Sequence, residues 1–423
     1  MWAGLGALGA FRAPGRLAAL LALGIARHGP TLAAVIGGAG LVWGRRLAAV
    51  DGARAASYRQ LAAAMDRVAW VLERDGLAVP GTRAAAVLRS DIRFLPLVGG
   101  LLAAGADVSL VSPRLGEAAL AEHLANRNVQ LVVCDPDLMP EDRHAAGARW
   151  VSAADLLGRA SEARAPWRPS RAWRSRLTLL TSGTTGTPKG VRQVRRAGQV
   201  WPALALAGQS GLQPGRPVLA LPPLVHGHGL SLALYCLATG SPLVLPGQAA
   251  GDSAAAKGGA IWRALTRWRV RVVAGTPAHL RFLAAYLEAA RPPPDGREAV
   301  AAVVSGSDML DSATVRALTA RWGVPVRDFY GTSQNSTLTT RARWGLPGED
   351  GNVGRPVAGT GIMVADAAGR PVPLGVEGLV LARSALAGRP QSPFESPAAA
   401  ATRRSRSGPR RRWGPQIHHA RLG

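Results

Sequence analysis

Along most of this chain, short continuous apolar runs alternate with stretches in which apolar positions recur every third or fourth residue. Runs at 83–88, 107–111 and 129–134 predict buried strands. Ahead of them, 61–72 carries Leu61, Met65, Val68, Ala69 and Leu72 at helical spacing, with Ser57-Tyr58 before it as a cap. Residues 91–104 and 117–126 predict two more helices. Val50-Asp51-Gly52 reads as a hairpin turn, and Val79-Pro80-Gly81 stops the first helix. Later strands are predicted at 177–180, 218–220, 241–245, 270–274, 300–304 and 325–329, with helices at 197–207 and 278–289. The Arg-, Pro-, Ser- and Trp-rich stretch 155–175 reads as a connection, and 292–296 as a surface loop. A strand–helix–strand rhythm of this kind implies an α/β fold with a parallel sheet.

The first 46 residues differ. Arg12 and Arg16 precede an apolar run at 17–26, and a second run follows at 31–43. Both fall short of the roughly 18 to 20 residues that cross a bilayer, and no small-x-small cleavage site follows the first. They read as a leader of amphipathic or buried helices, with peripheral membrane contact as one use for it. Cys134 and Cys236 lie far apart in apolar segments, which builds neither a disulfide framework nor a metal site and fits a cytoplasmic protein.

With 423 residues, 48% hydrophobic and 18% charged, the chain is long enough for large packed units. Its formal charge of +25 would ordinarily direct attention to nucleic acid. Yet Lys189 and Lys257 are its only lysines; the remaining basic residues are arginines spread along the whole length. No aromatic-interleaved basic stripe or helix-turn-helix pattern turns that charge into a reading head, so no specific nucleic-acid partner is expected.

The chemistry is concentrated just after the predicted strand at 177–180. Thr181, Ser182, Gly183, Thr184, Thr185, Gly186, Thr187, Pro188, Lys189 and Gly190 follow it directly. Three glycines let backbone N–H groups turn inward, and five hydroxyls with one ammonium add donors suited to a polyphosphate. A Walker A loop needs Gly-Lys-Ser/Thr after a four-residue gap, and Pro188 and Gly190 break that spacing. A flexible linker would not carry a strand before it and an ordered Thr-Pro-Lys-Gly-Val after it.

At these residues the sequence resembles the adenylate-forming superfamily, whose members include acyl-CoA synthetases, luciferases and peptide-synthetase adenylation domains and share the loop [ST]-S-G-[ST]-T-G-x-P-K-G-[VA]. Leu221-Pro222-Pro223-Leu224-Val225-His226-Gly227-His228-Gly229-Leu230 is similar to the family's P-L-[FY]-H-x-x-G-L, which implies His226 beside the acid's carboxylate. Ser305-Gly306-Ser307-Asp308 is similar to the turn lining the nucleotide and acyl pockets. Asp328 and Phe329 lead into Tyr330-Gly331-Thr332-Ser333-Gln334, which resembles Y-G-x-[ST]-E. The resemblance implies Thr181 through Lys189 on the β- and γ-phosphates of ATP, Tyr330 against adenine and Ser333 at the α-phosphate. It also implies Mg²⁺ held by Thr185 and Gln334, the latter standing where the family has Glu and so offering a weaker metal ligand. Gly351-Asn352-Val353-Gly354-Arg355-Pro356 resembles the turn that precedes a small β-barrel subdomain.

The fold so implied is the large α/β domain of an adenylate-forming synthetase, parallel sheets flanked by helices plus that barrel, over 47–382. The activity implied is activation of a carboxylic acid, a medium- or long-chain fatty acid being the first expectation, to acyl-adenylate and then acyl-CoA, with ATP, Mg²⁺ and coenzyme A. The resemblance ends near Ala382. Residues 383–423 are Arg-, Pro-, Ser- and Ala-rich, with a basic run at 403–412, and no lysine follows Lys257 to match the one the family carries in a C-terminal lid domain. The tail is expected to be the product of truncation or a frame change, and turnover to be reduced. A non-catalytic nucleotide- or acyl-binding remnant and a basic polyanion-binding protein are the alternatives.

Overall fold

Helices α1 (Pro14–His28) and α2 (Leu32–Trp43) fold onto each other and onto the body of the protein. Leu20, Leu32 and Ile36 are fully buried, the Trp43 indole N–H donates to the Leu237 carbonyl at 3.0 Å, and Arg27 bonds Asp66 at 2.7 Å. The apolar start of the chain is thus part of the core. No helix among the described residues is long and apolar enough to cross a membrane. The structure is a computed structural model and describes residues 14–52, 54–141, 147–164, 173, 175–181, 189–192, 207–247, 249, 251–292, 300–332, 336–341, 352–366, 368–384, 389–391 and 414–416.

A hairpin of β1 (Leu47–Asp51) and β2 (Arg54–Ser57) is closed by the Asp51–Arg54 pair, and Gly52 takes the left-handed conformation, φ +58°, at its turn. Ser57 then caps α3 (Tyr58–Arg74): its hydroxyl accepts the Gln60 N–H while Gln60 accepts the Ser57 N–H, a capping box. The chain continues through β3 (Arg83–Val87), α4 (Phe94–Ala103), β4 (Asp107–Val111), α5 (Glu117–Asn126), β5 (Leu131–Cys134), β6 (Arg149–Ser152), α6 (Ala153–Glu162), β7 (Leu177–Thr181) and β8 (Lys189–Arg192). There follow β9 (Val218–Ala220), α7 (Gly227–Thr239), β10 (Leu243–Leu245), α8 (Ala254–Arg267), β11 (Val272–Gly275), α9 (Pro277–Ala290), β12 (Ala302–Gly306) and α10 (Ser312–Trp322). The last elements are all strands: β13 (Val326–Thr332), β14 (Ser336–Arg341), β15 (Arg355–Pro356), β16 (Thr360–Ala365), β17 (Leu379–Ser384), β18 (Arg389–Gln391) and β19 (Gly414–Gln416).

Two large sheets result. One runs β15-β14-β13-β12-β11-β9-β10-β1-β2, parallel from β13 to β1; the other runs β18-β8-β7-β4-β3-β5-β6, parallel from β7 to β6. Side chains alternate across each. On β9, Val218 and Ala220 face a core shared with α2, α3, α4 and α7, while Leu219 faces α8 and α9. On β3, Ala84 and Ala86 join the same shared core and Ala85 and Val87 face the α5 side. The shared helices therefore form a layer between the sheets, with α8, α9 and α10 outside one and α5 outside the other. This is the α/β architecture the alternation implied.

Two expectations are corrected. The connection expected over 155–175 begins as helix α6: Ser152 caps it by accepting the Asp155 N–H, and Ala153, Leu156 and Ala160 give it a buried stripe. Strand β13 does not stop at Phe329 but continues to Thr332 and returns as β14. In the region expected to form the small barrel, the described residues make an antiparallel sheet, β16-β17-β19; 342–351, 385–388 and 392–413 lie outside the described residues. Most of the helix expected over 197–207 lies outside the described residues. Beyond Ala382, residues 389–391 pair with β8 and 414–416 with β17.

Burial also sets an acid limit. His123 on α5 is 7% exposed with Nε2 unpaired among the described residues. Burial, and then Arg127, lowers its pKa from 6.5 to about 4. Between those values the unfolded chain takes up a proton that the native one refuses. Stability is therefore complete above pH 6.5 and lost as the pH falls toward 4, by up to about 3 kcal/mol from this residue. Urea midpoints measured at pH 7.5 and 4.5 should differ by less in His123→Leu than in the unsubstituted protein.

Candidate active site

Both sheets turn the C-terminal ends of their parallel strands toward one crevice, where open α/β sheets keep their ligands. Three contacts close it. The Leu224 N–H, beyond β9, donates to Ser90 Oγ, beyond β3, at 2.7 Å. Arg54 on β2 lies 3.6 Å from Asp91, and the edge of Leu179 on β7 would lie 3.5 Å from a Cβ at Gly227. The end of β7 and the start of α7 are thus neighbours.

His226 is the residue at which that turn becomes a helix. It has extended φ −102°, ψ 153°, its N–H donates to the Pro223 carbonyl at 3.0 Å, and its carbonyl accepts the Leu230 N–H. Its side chain makes no capping bond and is exposed to the crevice, so the ring is left for other work. Burial of its surroundings, then Arg114, lowers its pKa. At pH 7 it is neutral. Arg114 follows β4 and so comes from the opposite sheet.

Next to it stand two histidines that the sequence motifs do not single out. His228 Nδ1 lies 3.2 Å from Ser307 Oγ, and His279, on the first turn of α9, places Nδ1 2.7 Å from Thr276 Oγ1. Burial first, then His279 for the one and Arg114 for the other, lowers each pKa to about 4. The Leu-Pro-Pro context draws attention to His226 alone. The signal for His279 lies in Gly275-Thr276-Pro277, a strand end passing into a helix beside β12.

Among the predicted residues, Ser305 and Gly306 end β12, and Ser307 follows with φ +79°. Ser305 is fully buried opposite Asp328, and Gly306 is in register with Phe329. Asp328 is 9% exposed; burial raises its pKa while Ser305, the Phe329 backbone and Arg341 pull against that rise. Gly306 is needed for closeness: a Cβ there would lie 3.1 Å from the Phe329 carbonyl oxygen and 3.4 Å from His228 Cε1. The bare glycine lets the His228 ring pack close against the β12 backbone. Tyr330, half-buried with its pKa raised by burial, and Gly331 and Thr332 continue β13 beside it.

Thr181 and Lys189 are opposite partners on β7 and β8, so the residues joining them start and finish side by side. Ser182, Gly183, Thr184, Thr185, Gly186 and Thr187 themselves lie outside the described residues, as do Ser333 and Gln334. Among the described residues no group of three or more His, Cys, Asp or Glu is placed to hold a metal ion; the two magnesium ligands expected from sequence, Thr185 and Gln334, are not among them.

A model of the AMP-binding enzyme family matches residues 40–389. The chain is 27% identical over 314 residues to the 2-succinylbenzoate–CoA ligase of Geobacillus kaustophilus, covering 74% of this chain and 61% of that protein. With the enzyme of the same name from Listeria monocytogenes it shares 30% identity over 190 residues, 45% of this chain and 39% of the relative. It therefore spans less than two thirds of the length of these relatives. Among solved structures, o-succinylbenzoate CoA synthetase (MenE) of Bacillus subtilis superposes with a TM-score of 0.72 at 19% identity, covering 90% of this chain and 74% of that one. The N-terminal domain of FACL13 from Mycobacterium tuberculosis gives 0.71 at 20% identity, covering 87% and 92%. Those superpositions share the fold; the family match runs from the end of α2 through both parallel sheets to β18, and the chain belongs to the AMP-binding enzyme family, whose members form adenylates.

Proposed function

We propose that this chain binds ATP and a carboxylic acid in the crevice and joins them. The carboxylate attacks the α-phosphate, pyrophosphate leaves, and the resulting acyl-adenylate passes its acyl group to a thiol, coenzyme A, with release of AMP. The observation that supports this reading is that Gly306, at the end of β12, lies against the Phe329 carbonyl and His228, while Gly227, next to His226, lies against Leu179 on β7, whose end pairs with Lys189 on β8. Catalysis in such a site is mostly positioning and charge stabilisation. Residues 181–189, with Lys189, would hold the β- and γ-phosphates, Tyr330 would cover adenine, and Ser333 would meet the α-phosphate. Magnesium, held by Thr185 and Gln334, would offset phosphate charge. His226, neutral at pH 7, can give the carboxylate a hydrogen bond without first losing a proton.

For the acid, the Gly-, Ala- and Leu-rich segments of the sequence favour a medium- or long-chain fatty acid. The names of the curated relatives favour an aromatic acid as second reading. Acid-dependent exchange of labelled pyrophosphate into ATP tests both, run across saturated C6–C16 acids and substituted benzoates. Exchange with one class and not the other selects the acid. ATP binding by calorimetry with no exchange for any acid would replace this reading with a non-catalytic nucleotide-binding protein.

A further inference from the structure

Ser307 occupies a backbone conformation that serine adopts reluctantly. Its φ of +79° lies in the left-handed region, where a Cβ is strained and glycine is not. What serine brings to the position is a hydroxyl 3.2 Å from His228 Nδ1. Gly306, one residue earlier, seats the same ring, since a Cβ there would stand 3.4 Å from His228 Cε1. His228 lies on the first turn of α7, two residues after His226. Helix N-termini disfavour an imidazolium, and burial acts in the same direction. The ring is therefore neutral at pH 7 and has a single N–H to give. Its other nitrogen, Nε2, makes no hydrogen bond among the described residues.

We propose that Ser307 is a positioning residue whose hydroxyl donates to His228 Nδ1, fixing the tautomer in which Nε2 carries the proton and offers it to the carboxylate of the acid substrate. His228 then works beside His226 as a second neutral donor to the same anion. The opposite tautomer would turn a bare lone pair toward that carboxylate and repel it. This inference rests on the crevice being the acid-activating site. Strain at Ser307 is on this account kept for function, and its removal should separate stability from substrate affinity.

Ser307→Gly in the full chain tests it with readouts of opposite sign. Its melting temperature should rise by roughly 1–3 °C as the left-handed strain is relieved. Its KM for the acid in pyrophosphate exchange should rise about tenfold or more, the loss of an oriented bond to a charged group, with the KM for ATP unchanged. The ¹⁵N–¹H histidine side-chain spectrum should show His228 protonated at Nε2 in the unsubstituted protein and averaged between the two nitrogens in the variant. His228→Asn, which keeps an acceptor for Ser307 but lacks the distal donor, should raise the acid KM equally and make Ser307→Gly silent on top of it. An unchanged His228 spectrum in Ser307→Gly, a proton on Nδ1 in the unsubstituted protein, or an unaltered acid KM overturns the assignment. Should no acid support exchange at all, the failure belongs to the acid-activating reading, and the spectrum still decides whether Ser307 sets the tautomer.

Discussion

Gly229→Ala should lower acid-dependent pyrophosphate exchange at least about a hundredfold and destabilise the protein by about 1–3 kcal/mol. A Cβ at that position would lie 2.3 Å from the Pro223 carbonyl oxygen and 2.4 Å from that of Pro222. Both atoms are backbone, so no side chain can rotate away to make room. The turn from Pro222 to His226 must be rebuilt. His226 donates its own N–H to the Pro223 carbonyl, so it moves with that turn, and a displacement of about 1 Å is enough to spoil a reacting geometry. Thermal melting and exchange kinetics on one preparation check both halves. Unimpaired exchange in a folded Gly229→Ala protein would mean that this turn does not hold the reacting group.

The second large effect is expected at Asp135. It is 2% exposed, accepts the Arg89 backbone N–H at 2.8 Å and Arg93 Nη2 at 3.1 Å, and lies 3.5 Å from the Arg89 guanidinium. Arg93 also bonds Asp91, and Asp91 meets Arg54, which is itself paired with Asp51 at the end of β1. These charges tie the strand ends of one sheet to those of the other, with Ser90 and its bond to Leu224 in their midst. Asp135→Ala leaves a partly buried guanidinium and a backbone N–H without their acceptor, at a cost of about 2–4 kcal/mol in urea unfolding; Asp91 keeps the figure from being larger. Arg93→Met on that background should restore part of the loss, since a pair replaced together is cheaper than a pair broken. A midpoint for Asp135→Ala equal to that of the unsubstituted protein would remove this network from the account of how the crevice is held.

The strands that were legible had one physical cause: parallel strands buried on both faces write continuous apolar runs, and 107–111 emerges at those bounds. Two of the elements that escaped notice, α6 and β14, have a thin apolar face; α7 and α8, also unread, bury broad ones. Helix α6 interleaves Leu156 with Arg159 and Gly158, so only its cap at Ser152 and a three-residue stripe distinguish it from a connection. Strand β14 is made of Ser, Thr and Arg around a single Leu, whose place in a sheet comes from pairing with β13 and not from hydrophobicity. At the site, the strong local motifs single out His226, Gly306 and Tyr330. His279 and Arg114 are not singled out, because what makes them notable is proximity across two sheets, which no local spacing encodes.

One consequence concerns the order in which the chain is made. Val50 on β1 pairs with Val244 on β10, about 190 residues later, while the parallel strands of the other sheet, β3 to β7, all lie between them. At roughly 5–20 residues per second on the ribosome, the β1–β2 hairpin must wait about 10–40 s for its neighbour. All the parallel strands of the second sheet can be made before the first has acquired its third strand. During that interval the inner edge of β1 carries unpaired N–H and C=O groups, a template for mispairing between nascent chains, so slower translation or a shortage of chaperone should lower the soluble yield of this protein more than that of one whose strands pair in sequence order.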